Sequence, residues 1–251
     1  MRGEITGILT GTLSQEMRLE VLSNNMANAN TVGFKEDKVF RIPSMPSSDR
    51  ENIPRESLKD WSVNNISTLP VGTFINFDQG SMKETGNALD VALDGEGFFA
   101  VQTSRGIQYT RKGDFVLNSN GTLVTQQGYP VLGKGDSEIQ ISGKDVVVDA
   151  TGAVIVDGAE VDSLKIVDFA NKKGLLKNGD SLYSPIDSTD QGIPAEKAIV
   201  QQGFIEGSNV DSIKMMTEMI DVIRGYESYQ KVLQSINETN SKTVNELGRL
   251  S

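Results

Sequence analysis

The 251-residue chain contains no cysteine and no histidine. That removes thiol nucleophiles, disulfides, imidazole general bases and the usual ligands of a zinc site. Positive charge is also scarce: 24 Lys and Arg against 34 Asp and Glu leave a formal net charge of −10. No basic stripe is available to neutralise phosphates, which excludes a nucleic-acid binder and adhesion to anionic lipid alike. No apolar run approaches the roughly 20 residues a membrane span requires. The opening residues Met1 to Leu9 hold one Arg and no apolar segment of the kind found in a cleaved secretion signal. Hydrophobic residues are few, at 37%, for a single compact globule. The 25 glycines exceed average usage, and the two facts together predict an elongated molecule with much surface per residue. A thiol-free chain also suits passage through an oxidising compartment.

What the chain does have is a helical stripe at each end. Met215, Met219, Val222, Tyr226, Tyr229, Leu233, Ile236, Asn240, Thr243, Leu247 and Leu250 step alternately by fours and threes, the spacing of a heptad seam. Polar Asn240 and Thr243 interrupt it, either as register-setting positions or as exposed residues of a fraying end. A shorter stripe runs through Ile5, Ile8, Thr12, Leu19, Leu22, Met26 and Ala29. A narrow apolar seam cannot bury itself, so each end needs a helical partner in the same molecule or in another copy. The first helix should run from about Ile5 to Asn28 and stop among Asn24, Asn25, Asn28 and Asn30, closed by Gly33. The last should be capped by Ser208 or Asn209, with Asp211 in its first turn. Gly225 inside that helix costs about 1 kcal/mol relative to Ala. It is either a tolerated flaw or the place where a neighbouring helix comes close. Met215, Met216 and Met219 supply adaptable packing.

Between the stripes the pattern changes. Lys35 to about Pro70 has four prolines and no sustained period, with Phe40, Ile42, Trp61 and Ile66 as anchors, and reads as a connector with short strands. From about Thr73 to Pro194 the period is two. Leu89 to Asp94 is a half-buried strand, Gly95-Glu96-Gly97 a turn, and Phe98 to Val101 a second strand. Asn120-Gly121 marks a hairpin between Phe115–Leu117 and Leu123-Val124. Thr151-Gly152 does the same between Val146–Val148 and Val154–Val156, and Ala198 to Gly207 is one more extended segment. The fold class expected is α+β, with N- and C-terminal helices paired as a coiled coil and an antiparallel all-β domain inserted between them. The terminal helices take residues 1–34 and 208–251, the connector 35–72 and 195–207, and the outer β domain 73–194.

Strings that could carry chemistry fail on inspection. Gly95-Glu96-Gly97-Phe98-Phe99-Ala100 satisfies a dinucleotide-binding pattern, but the aromatic and β-branched residues that follow form a strand where a helix is required. Asp90 and Asp94 suggest a calcium loop, yet Ala92 and Val101 stand where oxygen ligands are needed. Both aspartates are read as outward-facing. The acidic residues are scattered singly beside turns, as solvated side chains are. No catalytic, cofactor-binding or metal-binding residues are assigned, and an enzyme is not expected.

Ser23-Asn24-Asn25-Met26-Ala27-Asn28-Ala29-Asn30-Thr31-Val32-Gly33-Phe34-Lys35 resembles the N-terminal signature of bacterial flagellar rod and hook proteins. Leu89 to Phe99 resembles that family's central strand-turn, and Tyr109 to Phe115 with Gly128 to Gly133 its next block. Gln202-Gly203 and Glu206-Gly207-Ser208-Asn209-Val210 resemble the lead into its C-terminal helix, where Met219-Ile220 and Arg224-Gly225-Tyr226-Glu227 also fit. The stretch Arg41 to Pro70 departs from the pattern. The resemblance implies a structural subunit of the basal-body rod, polymerised into the axial drive shaft that transmits torque and encloses the export channel. It implies partners among copies of itself, neighbouring rod subunits and the flagellar type III export apparatus, with no nucleic acid, small-molecule substrate or membrane insertion. It also implies a location in the rod within the periplasm, reached without a cleaved signal peptide. Gly3-Glu4-Ile5-Thr6-Gly7-Ile8 and the modest β body look most like a proximal-rod subunit, with a distal-rod or hook-type subunit as the alternative.

On the resemblance and the two seams, the assembly interface is assigned to Ile8, Leu19, Leu22, Asn25, Met26, Asn28, Thr31, Gly33 and Phe34 at one end. At the other it takes Met219, Val222, Tyr226, Tyr229, Leu233, Ile236, Asn240 and Leu247. The helices of a free subunit are expected to be largely disordered and to fold on assembly. The competing class is a β-domain binding module with a dimerising coiled coil, which a fixed oligomer at every concentration would favour.

Overall fold

A computed structural model describes residues 2–41, 71–187, 189–195 and 197–247. The expectations for Ile42, Trp61, Ile66, the prolines from Pro43 to Pro70, and Leu250 lie outside the described residues. So do those for the side chains of Ile5, Asn240, Thr243 and Leu247. The described chain forms two compact units. One contains residues up to Met26, Asp37 to Phe74 and the chain from Ser212; the other contains Ala27–Glu36 and Ile75–Asp211.

The first unit contains α1 (Arg2–Ala27), β1 (Asp37–Arg41), β2 (Val71–Ile75), which ends in the other unit, and α2 (Ser212–Leu247). On α2, Met215 and Val222 are buried, and Met219, Tyr226, Tyr229, Leu233 and Ile236 are half-buried, so the heptad seam is the covered side. On α1, Thr12 and Leu22 are buried and Ile8, Leu19 and Met26 half-buried, whereas Leu9 and Leu13 are exposed. Close approach occurs at a glycine other than Gly225. A Cβ on Gly11 would lie 2.6 Å from the Tyr229 ring, whereas one on Gly225 would meet only the end of the Gln15 side chain at 3.4 Å. β1 and β2 form a two-stranded sheet in which Phe40 lies across Gly72 and 6.1 Å from the Phe74 ring.

The second unit is antiparallel throughout its paired strands. β5 (Phe98–Thr103), β6 (Gly106–Thr110), β12 (Ile166–Asp168), β13 (Leu175–Lys177), β14 (Leu182–Pro185) and β15 (Ile193–Pro194) make a six-stranded sheet. Their order is β13-β14-β6-β5-β12-β15. β9 (Val146–Val148), β10 (Ala153–Val156) and β11 (Ala159–Ser163) form a three-stranded sheet with β10 central. Two hairpin expectations are met. β7 (Val116–Leu117) pairs β8 (Leu123–Val124) across Asn120-Gly121, and β9 pairs β10 across Thr151-Gly152. In the second, Asp149 Oδ1 accepts from the Thr151 and Ala153 amides and the Thr151 hydroxyl, fixing the turn. β3 (Met82–Glu84) pairs β17 (Phe204–Glu206), and β4 (Val91–Asp94) pairs β16 (Ile199–Gln202).

β5 explains why Phe98 to Val101 shows no polar alternation. Phe99 and Val101 enter one core cluster, with Val91, Leu93, Phe115 and Val154. Phe98 and Ala100 enter a second, with Tyr109, Phe169 and Tyr183. The strand is covered on both faces, and each large side chain so buried contributes about 1.5–3 kcal/mol. Asp94 is exposed and Asp90 half-buried, where its carboxylate accepts from Thr85 Oγ1 and Asn87 Nδ2.

Two sequence expectations are corrected. Neither Ser208 nor Asn209 caps the last helix, which begins at Ser212; Ser208 Oγ accepts from the Val210 amide, and the Asn209 amide is engaged elsewhere. The β unit also takes in residues 27–36 and 195–211, beyond the 73–194 read from periodicity. The reason is that β16 and β17 complete sheets with strands more than 100 residues earlier.

Candidate functional site: a buried ionic junction at the chain exits of the β unit

Three segments of the β unit meet where its chain enters and leaves: residues 33–36, 76–81 and 206–209. Gly33 takes a left-handed φ of +63°, which brings its amide 2.7 Å from the carbonyl of Glu206. A Cβ there would sit 2.6 Å from the backbone of Arg111 and Lys112, so only glycine fits. The next residues then run beside the outgoing chain. The Asn209 amide donates to the Phe34 carbonyl, and Glu36 donates from its backbone to Asn209 Oδ1 at 2.8 Å. Asn209 Nδ2 donates onward to the carbonyls of Asn76 and Asp78. One side chain thereby ties all three segments.

At the centre is Glu206, whose side chain is fully buried. Its Oε1 accepts from Lys35 Nζ at 2.6 Å and from the Gly80 amide at 2.8 Å; its Oε2 lies 3.3 Å from Arg111 Nη1. Lys35 is also fully buried and donates to the Asp78 carbonyl at 2.7 Å. Arg111 reaches the carbonyls of Leu93 and Gly95, and its guanidinium lies 5.5 Å from the centre of the Phe98 ring. Burial pushes Lys35 and Arg111 below their ordinary pKa values, and the Glu206 carboxylate opposes that shift in both. Two cations thus face one carboxylate, with the remaining positive charge spread over main-chain carbonyls. Breaking such a set leaves an unpaired buried charge, which is far costlier than never having buried it. Lys177 seals the junction: its Nζ lies 3.7 Å from the centre of the Phe34 ring and donates to the Lys35 carbonyl.

Several assigned interface residues are found here or just before it. Gly33 and Phe34 belong to the junction. Asn28 precedes it and turns the chain, accepting from the Thr31 amide with its carbonyl and from the Thr31 hydroxyl with its side chain. Asn25 belongs to the other unit; it is buried and brackets the backbone of Asp37, donating to its carbonyl and accepting from its amide. Leu22, Met26, Met219, Val222, Tyr226, Tyr229, Leu233 and Ile236 lie on the covered sides of their helices, as do Ile8 and Leu19.

Sequence reasoning missed Lys35, Arg111, Glu206 and Asn209. It read the acidic residues as scattered mostly beside turns, as solvated side chains are, whereas Glu206 is fully buried and Glu36 is buried as well. The available signal was that all four residues fall inside the stretches that carry the family resemblance, near glycines that admit close backbone approach. Among the described residues no group of three or more His, Cys, Asp or Glu is arranged to hold a metal. No helix among them is long and apolar enough to cross a membrane.

Here charge is used to fasten backbone to backbone, and the helices at the two ends of the chain carry long apolar seams. This is the build of a structural assembly subunit. Comparison with known proteins gives the class a family. Residues 9–35 match the family model described as flagella basal body rod protein. Residues 92–156 match the flagellar hook protein FlgE/F/G D1 domain, and 201–247 the flagellar basal body rod FlgEFG protein C-terminal. The chain is 35% identical over 246 residues to the flagellar basal-body rod protein FlgF of Caulobacter vibrioides, covering 97% of each. It is 32% identical over 256 residues to the rod protein FlgG of Agrobacterium fabrum, covering 92% of this chain and 94% of that one. To FlgG of Bacillus subtilis it is 33% identical over 271 residues, covering 98% of both. The chain belongs to the flagellar basal-body rod protein family; it is a structural rod subunit and not an enzyme.

Proposed function

We propose that the subunit polymerises on a helical lattice into the axial shaft that transmits torque and encloses the export channel. Its terminal helices pair as an inner coiled-coil layer and its β units face outward. The observation that carries this reading is the pair of stripes on α2. One seam, Met215 to Ile236, is covered within the subunit. A second, Ile213, Met216, Ile220 and Ile223, steps by three, four and three and is exposed, as are Leu9 and Leu13 on α1. An apolar stripe left in water on a helix already covered on another side calls for further helices, which neighbouring copies and other axial subunits supply. A free subunit lacks those neighbours, so its helices are expected to order fully only on assembly.

The proximal-rod position is supported by the opening Gly3 to Ile8 and by the 35% identity to an FlgF protein. The flagellar type III export apparatus is the expected carrier and the periplasm the expected site. The test is to express Leu22→Asp and Leu233→Asp chains in cells lacking the wild-type gene. Both are expected to be absent from purified basal bodies and to leave the cells non-motile, while the purified chains keep a folded β unit. Normal rods built from either variant would refute the packing scheme.

A further inference from the structure

The ionic junction differs from the rest of the β unit in what holds it closed. Of the residues in β3 and β17, only Glu206 is buried; Met82, Phe204 and Ile205 are half-buried, and Lys83 and Glu84 are exposed. Neither core cluster includes a residue from 33–36, 78–84 or 204–209. Phe34, beneath Lys177, is the one large buried ring these segments carry. What fastens them is polar: Glu206 at the centre reaches Arg111 on the body of the unit and Lys35 on the neighbouring segment, Asn209 ties the segments together, and Gln79 and Lys177 add hydrogen bonds to Leu93, Gly95 and Lys35. Charges released into water regain their hydration, whereas released apolar side chains do not. Opening these segments therefore costs far less than opening the sheets. The segments also have defined boundaries. Phe77 stays packed against Phe98 and Tyr183 at 5.4 and 5.3 Å, and Gly203, at φ +78°, separates β16 from β17.

We propose that residues 33–36, 78–84 and 204–209 form a collar that opens as one cooperative unit, latched by Glu206, while the sheets behind it stay folded. The collar contains both the segment leading out to β1 and the segment leading out to α2. Its opening frees those exits without unfolding the β unit, and its closure fixes them.

Native-state hydrogen exchange on the full chain, followed across sub-denaturing urea, tests this. The collar reporters are the amides of Gly33, Gly80 and Gly207, which donate to the Glu206 carbonyl, to Glu206 Oε1 and to the Ser81 carbonyl. The body reporters are the amides of Ala100, Gln102 and Leu132. In the wild-type chain the collar reporters should share one opening, at least tenfold more frequent than that of the body and less dependent on urea. Glu206→Gln should raise collar exchange at least a further tenfold and leave body exchange within twofold. The proposal is overturned if collar and body merge onto one urea dependence in the wild type, a result that does not depend on the variant folding. It is equally overturned if Glu206→Gln speeds both sets alike, speeds only Gly80, or changes neither.

Discussion

Replacing Gly33 with alanine should destabilise the β unit by more than the same change at its left-handed glycines with open surroundings. Two effects add. A left-handed backbone costs an L-residue roughly 1–2 kcal/mol. The new Cβ would also lie 2.6 Å from the Arg111 carbonyl carbon and the Lys112 nitrogen, both main-chain atoms that no rotamer change can move. Forcing a methyl into such a site costs about 1–3 kcal/mol more. Gly86 is the matched control, because its φ of +71° is nearly the same but nothing stands within 4 Å of its Cβ position. Gly86→Ala should show only the conformational cost. Urea denaturation followed by far-UV circular dichroism, with the unfolding slope unchanged, gives both losses. The difference between the variants isolates the collision, expected at about 1–3 kcal/mol. Equal losses at the two positions would refute the close approach of residues 33 and 111 on which the junction rests.

Glu206→Leu should cost about 3–5 kcal/mol, because it leaves Lys35 and Arg111 buried without the carboxylate that pairs them. Adding Lys35→Met to it should cost less than the sum of the single changes, a double-mutant cycle readable in the same denaturation assay. Asp149 accepts three hydrogen bonds in the β9–β10 turn, led by that from the Thr151 hydroxyl, and these hold its pKa below the ordinary 3.8. A depressed carboxylate contributes its stability above the unfolded pKa and loses it as pH falls through the folded one. NMR titration should therefore place the Asp149 midpoint below 3.8, and Asp149→Asn should flatten the acid end of the stability curve. In α1, Gly7→Ala meets nothing within 4 Å and should stabilise the helix by up to about 1 kcal/mol in a thermal melt. Gly11→Ala should lower its stability instead, because the methyl strikes the Tyr229 ring, and Tyr229→Leu should restore part of the loss.

The parts of the fold visible in the sequence are those fixed by local physics. Period-four-and-three spacing located α2 and its covered side, and Asn120-Gly121 and Thr151-Gly152 located two hairpins, because turn chemistry and side-chain periodicity act over a few residues. The pairing of β3 with β17 and of β4 with β16 joins strands more than 100 residues apart, and nothing in their short, mixed sequences names the partner. The same distance hid the junction. Glu206 and Lys35 are 171 residues apart, and a carboxylate beside a glycine looks solvated until its partners are known. The N-cap of α2 was misplaced for a related reason: Asn209 has the chemistry of a cap, but a tertiary demand from residues 36, 76 and 78 takes its amide first. Gly225, open in the sequence between a tolerated flaw and a point of helix approach, has only the Gln15 side chain near it, whereas the tighter approach is at Gly11, which the sequence does not distinguish from Gly7.

The central claim, that the two ends of one chain pair within the finished rod, is tested most directly by a disulfide. The native chain has no cysteine, so an introduced pair reports without background. A Cβ at residue 225 would lie 3.9 Å from Cγ of Gln15, the atom whose place a cysteine sulfur takes, so the two positions face each other within reach of a bridge. Basal bodies purified from cells carrying Gln15→Cys with Gly225→Cys should, after mild oxidation, yield the subunit as an internally bridged monomer on a non-reducing gel. Free thiols at both positions, or bridges only between different copies, would contradict the account.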